Sequence, residues 1–243
     1  MNYNKIKEKQ ELLIKNKDKF SKILLENYTN GFDINFAHDS TAIEGNTLTL
    51  METKLLLEDE ISVGSKNLRE IYEVVNHNKA WNYVKTLIKS NQDLNEEIVK
   101  ELHKILMENI LPGGIYRNSD VIITGAKSKP PSVMILPFEL NNFFERLNNN
   151  EFNPLDLAAY THGEFVRIHP FIDGNGRLSR ILMNFQLLKN EFLPISIKNE
   201  DKLEYYDALD YYALNNDLKY FKKIIYKLEE KELDFYLNAL DLK

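Results

Sequence analysis

Between His169 and Arg180 the chain reads HPFIDGNGRLSR. A histidine and a carboxylate precede a Gly-Asn-Gly turn, and two arginines follow it at i and i+3. A glycine-rich turn can aim successive backbone N–H groups at an anion, and a helix opening there adds the positive end of its dipole. Arg177 and Arg180 share one face of that helix and can reach the same anion. The segment therefore predicts a polyphosphate cradle. The N–H groups of Gly174, Asn175 and Gly176 would line it, and Arg177 and Arg180 would fork onto terminal phosphates. Asp173 is an oxygen donor suited to Mg²⁺ (or Mn²⁺), a kind of ion that takes one or two protein carboxylates and completes its shell with phosphate and water. His169, with an ordinary pKa of about 6.5, suits proton abstraction from an incoming hydroxyl at neutral pH. Phe171 and Ile172 read as core anchors of the loop.

Each fragment alone has an ordinary structural role, since glycine pairs open many helices and arginine pairs are common on solvated faces. Seven chemistry-bearing residues within this one stretch share no such excuse. Two better-known phosphate motifs are excluded. No GxxxxGK[ST] run occurs, and the strand that precedes a dinucleotide fingerprint is missing from the pattern. His162 and His169 fit neither HExxH nor a cysteine-based zinc pattern.

The elements that must position these residues read as helices. Ile6, Leu13, Phe20, Ile23 and Leu24 trace one stripe over the first twenty-five residues. Thr49 and Glu52 have capping-box spacing, predicting a helix from Leu50 to about Glu60. After a break at Val63-Gly64-Ser65, Ile71 to Val84 mark a longer helix, and another spans about Asn95 to Asn109. Residues 112–137 differ, with four of the seven prolines and three of the nine glycines. Apolar runs at Val121–Ile123 and Val133–Leu136 flank a proline-stiffened loop there, which predicts a β-hairpin. Asn153-Pro154 opens a helix to about Ile168, and the cradle begins a helix to about Asn190. Two more helices close the chain, near Asp201–Leu214 and Asp217–Leu240. The expected fold is one compact all-α domain with a single short β-hairpin.

Bulk composition narrows the function classes. The 243 residues suffice for a sizeable core, and 43% hydrophobic with 28% charged residues is ordinary for a globular protein. A net charge of −6 argues against a dedicated nucleic-acid binder. The absence of cysteine excludes disulfides and thiolate metal sites. No apolar run approaches the roughly 18–20 residues of a membrane span, and the polar N-terminus lacks a signal-peptide core, so the cytoplasm is the expected location.

At every specified position HPFIDGNGRLSR matches HxFx(D/E)GNGRxxR, and the chain thereby resembles the Fic family. Residues 67–190 are similar to the Fic core, and the segment 116–136, with Tyr116-Arg117 and Pro130-Pro131, to its flap beside the active site. Tyr205, Tyr206 and Leu209 resemble the border of the adenine pocket, although the tyrosine spacing after Leu209 departs from the family pattern. Ser40 to Asn46 reads STAIEGN, similar to the family's inhibitory motif [ST]xxxE[GN], with Ser40, Glu44, Gly45 and Asn46 in the key places. The resemblance implies residues 1–66 as N-terminal helices bearing the inhibitory helix (about 34–45) and residues 67–243 as the catalytic core.

The activity so implied is protein adenylylation, the transfer of AMP from ATP to a Ser, Thr or Tyr hydroxyl of a target protein. His169 would be the base, Asp173 the Mg²⁺ ligand at the α- and β-phosphates, and Gly174–Gly176 the cradle. Arg177 and Arg180 would grip the β- and γ-phosphates, and Glu44 would inhibit by pairing with Arg180. The target would dock along the flap hairpin by strand addition, and self-modification and a homodimer both fall within the family's range. The resemblance also leaves open a bifunctional enzyme that also removes AMP from the modified target through Glu44, a transferase of another nucleotide or phosphate group, and a non-catalytic nucleotide-binding regulator.

Overall fold

A computed structural model describes residues 2–61, 64–149 and 151–242, so Val63 in the expected break lies outside the described residues. The described chain forms ten α-helices: α1 (Tyr3–Asn16), α2 (Lys22–Ala42), α3 (Leu50–Glu58), α4 (Leu68–Lys89), α5 (Glu96–Leu106), α6 (Leu136–Asn148), α7 (Pro154–Ile168), α8 (Asn175–Lys189), α9 (Lys202–Asn215) and α10 (Lys219–Ala239). Two single-turn 3₁₀ segments accompany them, and no strand occurs among the described residues.

Helix α8 is the axis of the molecule. Every side chain from Arg177 to Leu187 is buried, so this helix has no solvent face. Helices α7, α4, α5 and α2 pack around it, while α1 lies along α10 at the periphery. The core is contiguous and rich in aromatic rings, with Trp81, Phe143, Phe165, Phe171, Phe185 and Phe221 fully enclosed.

Local chemistry sets several helix ends. Thr49 Oγ1 accepts from Glu52 N while the Glu52 carboxylate accepts from Thr49 N, the capping box expected at the start of α3. Asn153 caps α7 by accepting from Asp156 N, with Pro154 in the first turn. Asn95 caps α5 in the same way through Ile98 N.

Two expectations require correction. The first twenty-five residues do not form one helix. Asn16 leaves helical geometry and a 3₁₀ turn follows, after which Ser21 caps α2 by accepting from Leu24 N. Ile23 is consequently exposed. The segment 34–45, expected as an inhibitory helix, is the C-terminal part of the long α2 followed by a turn, and Glu44 falls in that turn.

The predicted β-hairpin at 116–136 is also absent. The segment does double back, but side chains rather than a backbone ladder join its legs. Arg117 Nη2 donates to Pro131 O at 2.5 Å, and Val133 N donates to Asp120 Oδ1 at 2.7 Å. Pro130 and Pro131 have no N–H to offer a ladder. On the second leg, residues 133–135 form a turn and Leu136 already begins α6, with Pro137 in its first turn.

Candidate active site

The cradle loop is braced from four directions. Helix α7 stops at His169, whose φ of 51° is left-handed and turns the chain out of the helix. The buried Arg117 holds that turn: its Nε donates to His169 O at 2.9 Å, and its backbone N donates to Pro170 O at 2.9 Å. The side chain of Asn175 closes the loop from within, accepting from Phe171 N at 3.0 Å and donating to Phe171 O at 2.9 Å. From α5, the His103 ring stacks on Phe171 at 3.6 Å between centroids. Its Nδ1 accepts from Gly114 N at 2.8 Å, so the proton lies on Nε2, which donates to Asp173 O at 2.9 Å. Burial lowers the His103 pKa to about 4, which keeps this tautomer neutral. Phe171 is fully buried, as a core anchor should be, whereas Ile172 is 56% exposed and anchors nothing.

Gly174 opens α8 with φ 78°, and a Cβ there would come within 2.9 Å of Met107 Sδ. Helix geometry leaves the first-turn N–H groups of α8 without intrahelical acceptors. The N–H of Gly174 is occupied by Asp173 Oδ1 at 2.5 Å. Asp173 also meets Arg177 Nη2 at 3.1 Å and pairs with Arg69 of α4. Burial opposes its charge, but Arg177, Gly174 N–H and Arg69 outweigh it and lower its pKa. Arg177 itself is 2% exposed, with Nη1 3.5 Å from Glu73 Oε1. Its Nε and Nη1 are buried with no hydrogen-bond partner among the described residues.

Arg180 is more completely enclosed. Its Nη2 donates to Glu44 Oε1 at 2.7 Å and to Ser40 O at 2.7 Å, and its Nε donates to Ser40 Oγ at 2.9 Å. Nη1 donates to the Tyr205 hydroxyl at 3.2 Å. Burial opposes the charge, and Tyr205 and Glu44 more than restore it, so the Arg180 pKa rises above its ordinary value. Around Glu44 the chain is fixed. Ser40 and Thr41 are buried, Gly45 adopts φ 99°, and Asn46 Nδ2 donates to Glu70 O at 2.9 Å and Glu73 Oε2 at 3.0 Å. A Cβ on Gly176 would fall 2.2 Å from Glu44 Oε1. Only glycine at 176 lets this carboxylate settle against the opening of α8.

Beside the carboxylate lies a cavity of about 370 Å³ lined by Glu44, His169, Gly176, Tyr205, Tyr206 and Leu209, with Ile123 to Pro130 forming its opposite side. The structure thus gathers residues from four separate stretches of sequence. Burial lowers the His169 pKa, with Arg117 adding in the same sense, so the imidazole is neutral and basic at pH 7. The side chain of Asn175 points into the loop, not the cavity, leaving only its backbone for an anion. Sequence reading passed over Arg69, Glu73, His103, Arg117 and a Tyr205–His162 contact at 3.0 Å. Arg69 and Glu73 pair with each other at i and i+4, but the contacts that tie each of these residues to the site join positions far apart in the chain.

For a divalent cation, the residues fit a site shared with substrate. No cluster of three or more His, Asp or Glu side chains occurs among the described residues. Asp173, 29% exposed at its side chain, is a single carboxylate beside a helix N-terminus, between the buried Arg177 and the exposed Arg69. Mg²⁺ typically needs no more protein than that when phosphates supply the remaining oxygens.

Comparison with known proteins places this geometry. Residues 93–187 match the Fic/DOC family. The chain carries a Fic domain. A Fic-domain-containing signaling protein of Bacteroides thetaiotaomicron superposes with a TM-score of 0.87 at 26% identity, covering 97% of this chain and 96% of that one. A fragment of Fic-1 from C. elegans gives 0.83 at 25% identity, with 97% of this chain and 73% of that one covered. Protein adenylyltransferase Fic of Aedes aegypti is 34% identical over 212 residues, 85% of this chain and 42% of that protein. Its Drosophila melanogaster counterpart is 34% identical over 208 residues, 83% and 42% respectively. The chain spans about two fifths of the length of these curated relatives. The Fic domain here is flanked on both sides by helices that complete the site, since Glu44 precedes the matched region and Tyr205 follows it.

Proposed function

We propose that this Fic protein is a protein adenylyltransferase that transfers AMP from ATP to a hydroxyl of a target protein and rests in an inhibited state. The observation that carries the reading is one cavity bordered by a neutral His169, the Gly176 end of a helix N-terminus and the Glu44 carboxylate bound to Arg180. The curated relatives named adenylyltransferases support the group transferred.

In the reaction, the hydroxyl oxygen of the target forms a bond to the α-phosphorus as the bond to pyrophosphate breaks. The hydroxyl proton passes to the His169 imidazole. The N–H groups of Asn175 and Gly176 and the guanidiniums of Arg177 and Arg180 hold the phosphates in line. The protein supplies positioning and charge stabilisation, which is most of what phosphoryl-group chemistry requires. Asp173 would hold Mg²⁺ or Mn²⁺, which when bound offsets phosphate charge. Tyr205, Tyr206 and Leu209 are assigned to the adenine end, and the target to the outer face of 116–136, which offers it loop rather than strand.

Glu44 blocks this arrangement twice. It neutralises Arg180, and its oxygen sits against Gly176 where an anion would meet the helix terminus. Residues 1–66 are accordingly assigned as the inhibitory unit and 67–243 as the catalytic core, with the cytoplasm as the working compartment of this cysteine-free chain. Incubation with ATP radiolabelled at the α-phosphate tests the reading. Label should become covalently attached to protein with Glu44→Gly and vanish when His169→Ala is added. Label that persists without His169, or never appears, contradicts it.

A further inference from the structure

Glu44 accounts for only one of the four hydrogen bonds made by Arg180. The bond from Nη1 is of another kind, because its acceptor belongs to α9, whereas the other three come from Ser40 and Glu44. A guanidinium carries only donors, so the Tyr205 oxygen 3.2 Å from Nη1 must accept. The single phenolic proton is then left for a second partner. His162 Nε2 lies 3.0 Å from the same oxygen. Ser179 Oγ, also within 3.2 Å of Nε2, has its own acceptor in Gly176 O at 2.8 Å.

These contacts point to one tautomer. Nε2 accepts from Tyr205, and the ring proton is on Nδ1, a buried atom with no hydrogen-bond partner. Burial, reinforced by Arg180, holds the His162 pKa well below its ordinary value, and Phe221 packs on the ring at 4.6 Å. A histidine that merely filled space in the core would be poorly chosen for this place. It leaves one nitrogen unsatisfied, and its one necessary bond is the one to Tyr205.

We propose that His162 and Tyr205 are positioning residues for Arg180: the imidazole fixes the direction of the Tyr205 proton, and the oxygen lone pair so oriented holds Nη1 whether or not Glu44 is in place. Without His162 the hydroxyl can rotate its proton toward the guanidinium, and two donors then face each other. In the resting chain Glu44 and Ser40 still restrain Arg180. Once Glu44 lets go, Tyr205 is the only acceptor from outside the inhibitory segment among the four bonds. The inference rests on the reading of Arg180 as the γ-phosphate grip, and it predicts a defect confined to nucleotides that carry that phosphate.

Two measurements on the full chain test it. Nitrogen-15 NMR of the imidazoles in the unaltered protein should show His162 neutral with its proton on Nδ1, and a proton on Nε2 at pH 7 overturns the proposal. Calorimetric titration with Mg-ATP and with AMP then compares Glu44→Gly with the same background carrying Tyr205→Phe, His162→Phe, His162→Gln or Arg180→Met. Tyr205→Phe and His162→Phe should weaken ATP about tenfold, the scale of one hydrogen bond to a charged group. AMP affinity should be unchanged, because both variants keep the Tyr205 ring at the adenine end and alter only the hydroxyl contact to Arg180. His162→Gln should recover ATP binding, because its amide oxygen can accept the Tyr205 proton. Tyr205→Phe deletes a single oxygen, so the test survives if His162→Phe does not fold. Unchanged ATP affinity in Tyr205→Phe, or parallel loss of ATP and AMP, overturns the proposal. Undiminished ATP affinity in Arg180→Met overturns the γ-phosphate assignment itself, and loss in Arg180→Met without loss in Tyr205→Phe overturns the positioning role alone.

Discussion

At the scale of residues, the site is governed by charges removed from water. Arg177 and Arg180 are 2% and 1% exposed, and each is stabilised by nearby carboxylates. His169 is kept neutral by the same burial, which has a kinetic consequence. A general base must be unprotonated, and the folded protein resists its protonation below the ordinary imidazole value. The acid limb of kcat/KM for Glu44→Gly should therefore fall below about pH 6.5. A pH–rate profile with its acid limb at or above that value would show that another group is titrating. The types and spacing of His169, Asp173, Gly174, Gly176, Arg177 and Arg180 were legible because the chemistry is packed into one loop and one helix turn. Glu44 was legible only because that loop directed attention to Arg180. The supports, Arg69, Glu73, His103 and His162, were not, since their contacts to the site join positions far apart in the chain, and the one local pair, Arg69 with Glu73, looks like an ordinary helix pair.

At the scale of elements, helix ends were read well where a side chain closes the first turn, as Thr49 with Glu52 and Asn153 with Pro154 do. They were read poorly where apolar spacing continued through a break, as at Asn16 to Ser21. The hairpin expectation failed for a related reason. Short apolar runs at 121–123 and 133–136 imitate strands, but what folds this segment is the Arg117 side chain, which reaches His169 O, Ser119 O and Pro131 O together. Arg117 thus couples the flap segment to the catalytic loop. Arg117→Met should keep the helical fold, lower kcat of the Glu44→Gly enzyme by at least about tenfold, and increase protease cleavage within 116–136, because three backbone carbonyls lose a charged donor. Cleavage and kcat both matching the parent would remove Arg117 from the account. The cleavage pattern is read by mass spectrometry of limited digests.

At the scale of the whole molecule, burial makes the fold sensitive to acid. Four of the five histidines, His77, His103, His162 and His169, have pKa values lowered first of all by burial. As pH falls through about 6.5, the unfolded chain binds protons at these positions while the folded chain does not, so stability declines toward acid. Each contributes up to about 1.4 kcal/mol per pH unit over that range. Urea midpoints should thus drop steeply between about pH 7 and pH 5, and a flat profile would mean that the histidines are not neutral in the fold. The larger organisation gives the site its logic. Helix α8 sits at the centre, α2 brings Glu44 and Ser40 to its opening, and α9 brings Tyr205 from the other side. This arrangement is the basis of the proposed function, a transferase held shut by the segment that carries Glu44. Intact mass spectrometry after incubation with Mg-ATP tests that claim most directly. Glu44→Gly should gain the mass of one or more adenylyl groups while the unaltered chain gains little, and equal modification of the two, or none of either, would contradict it.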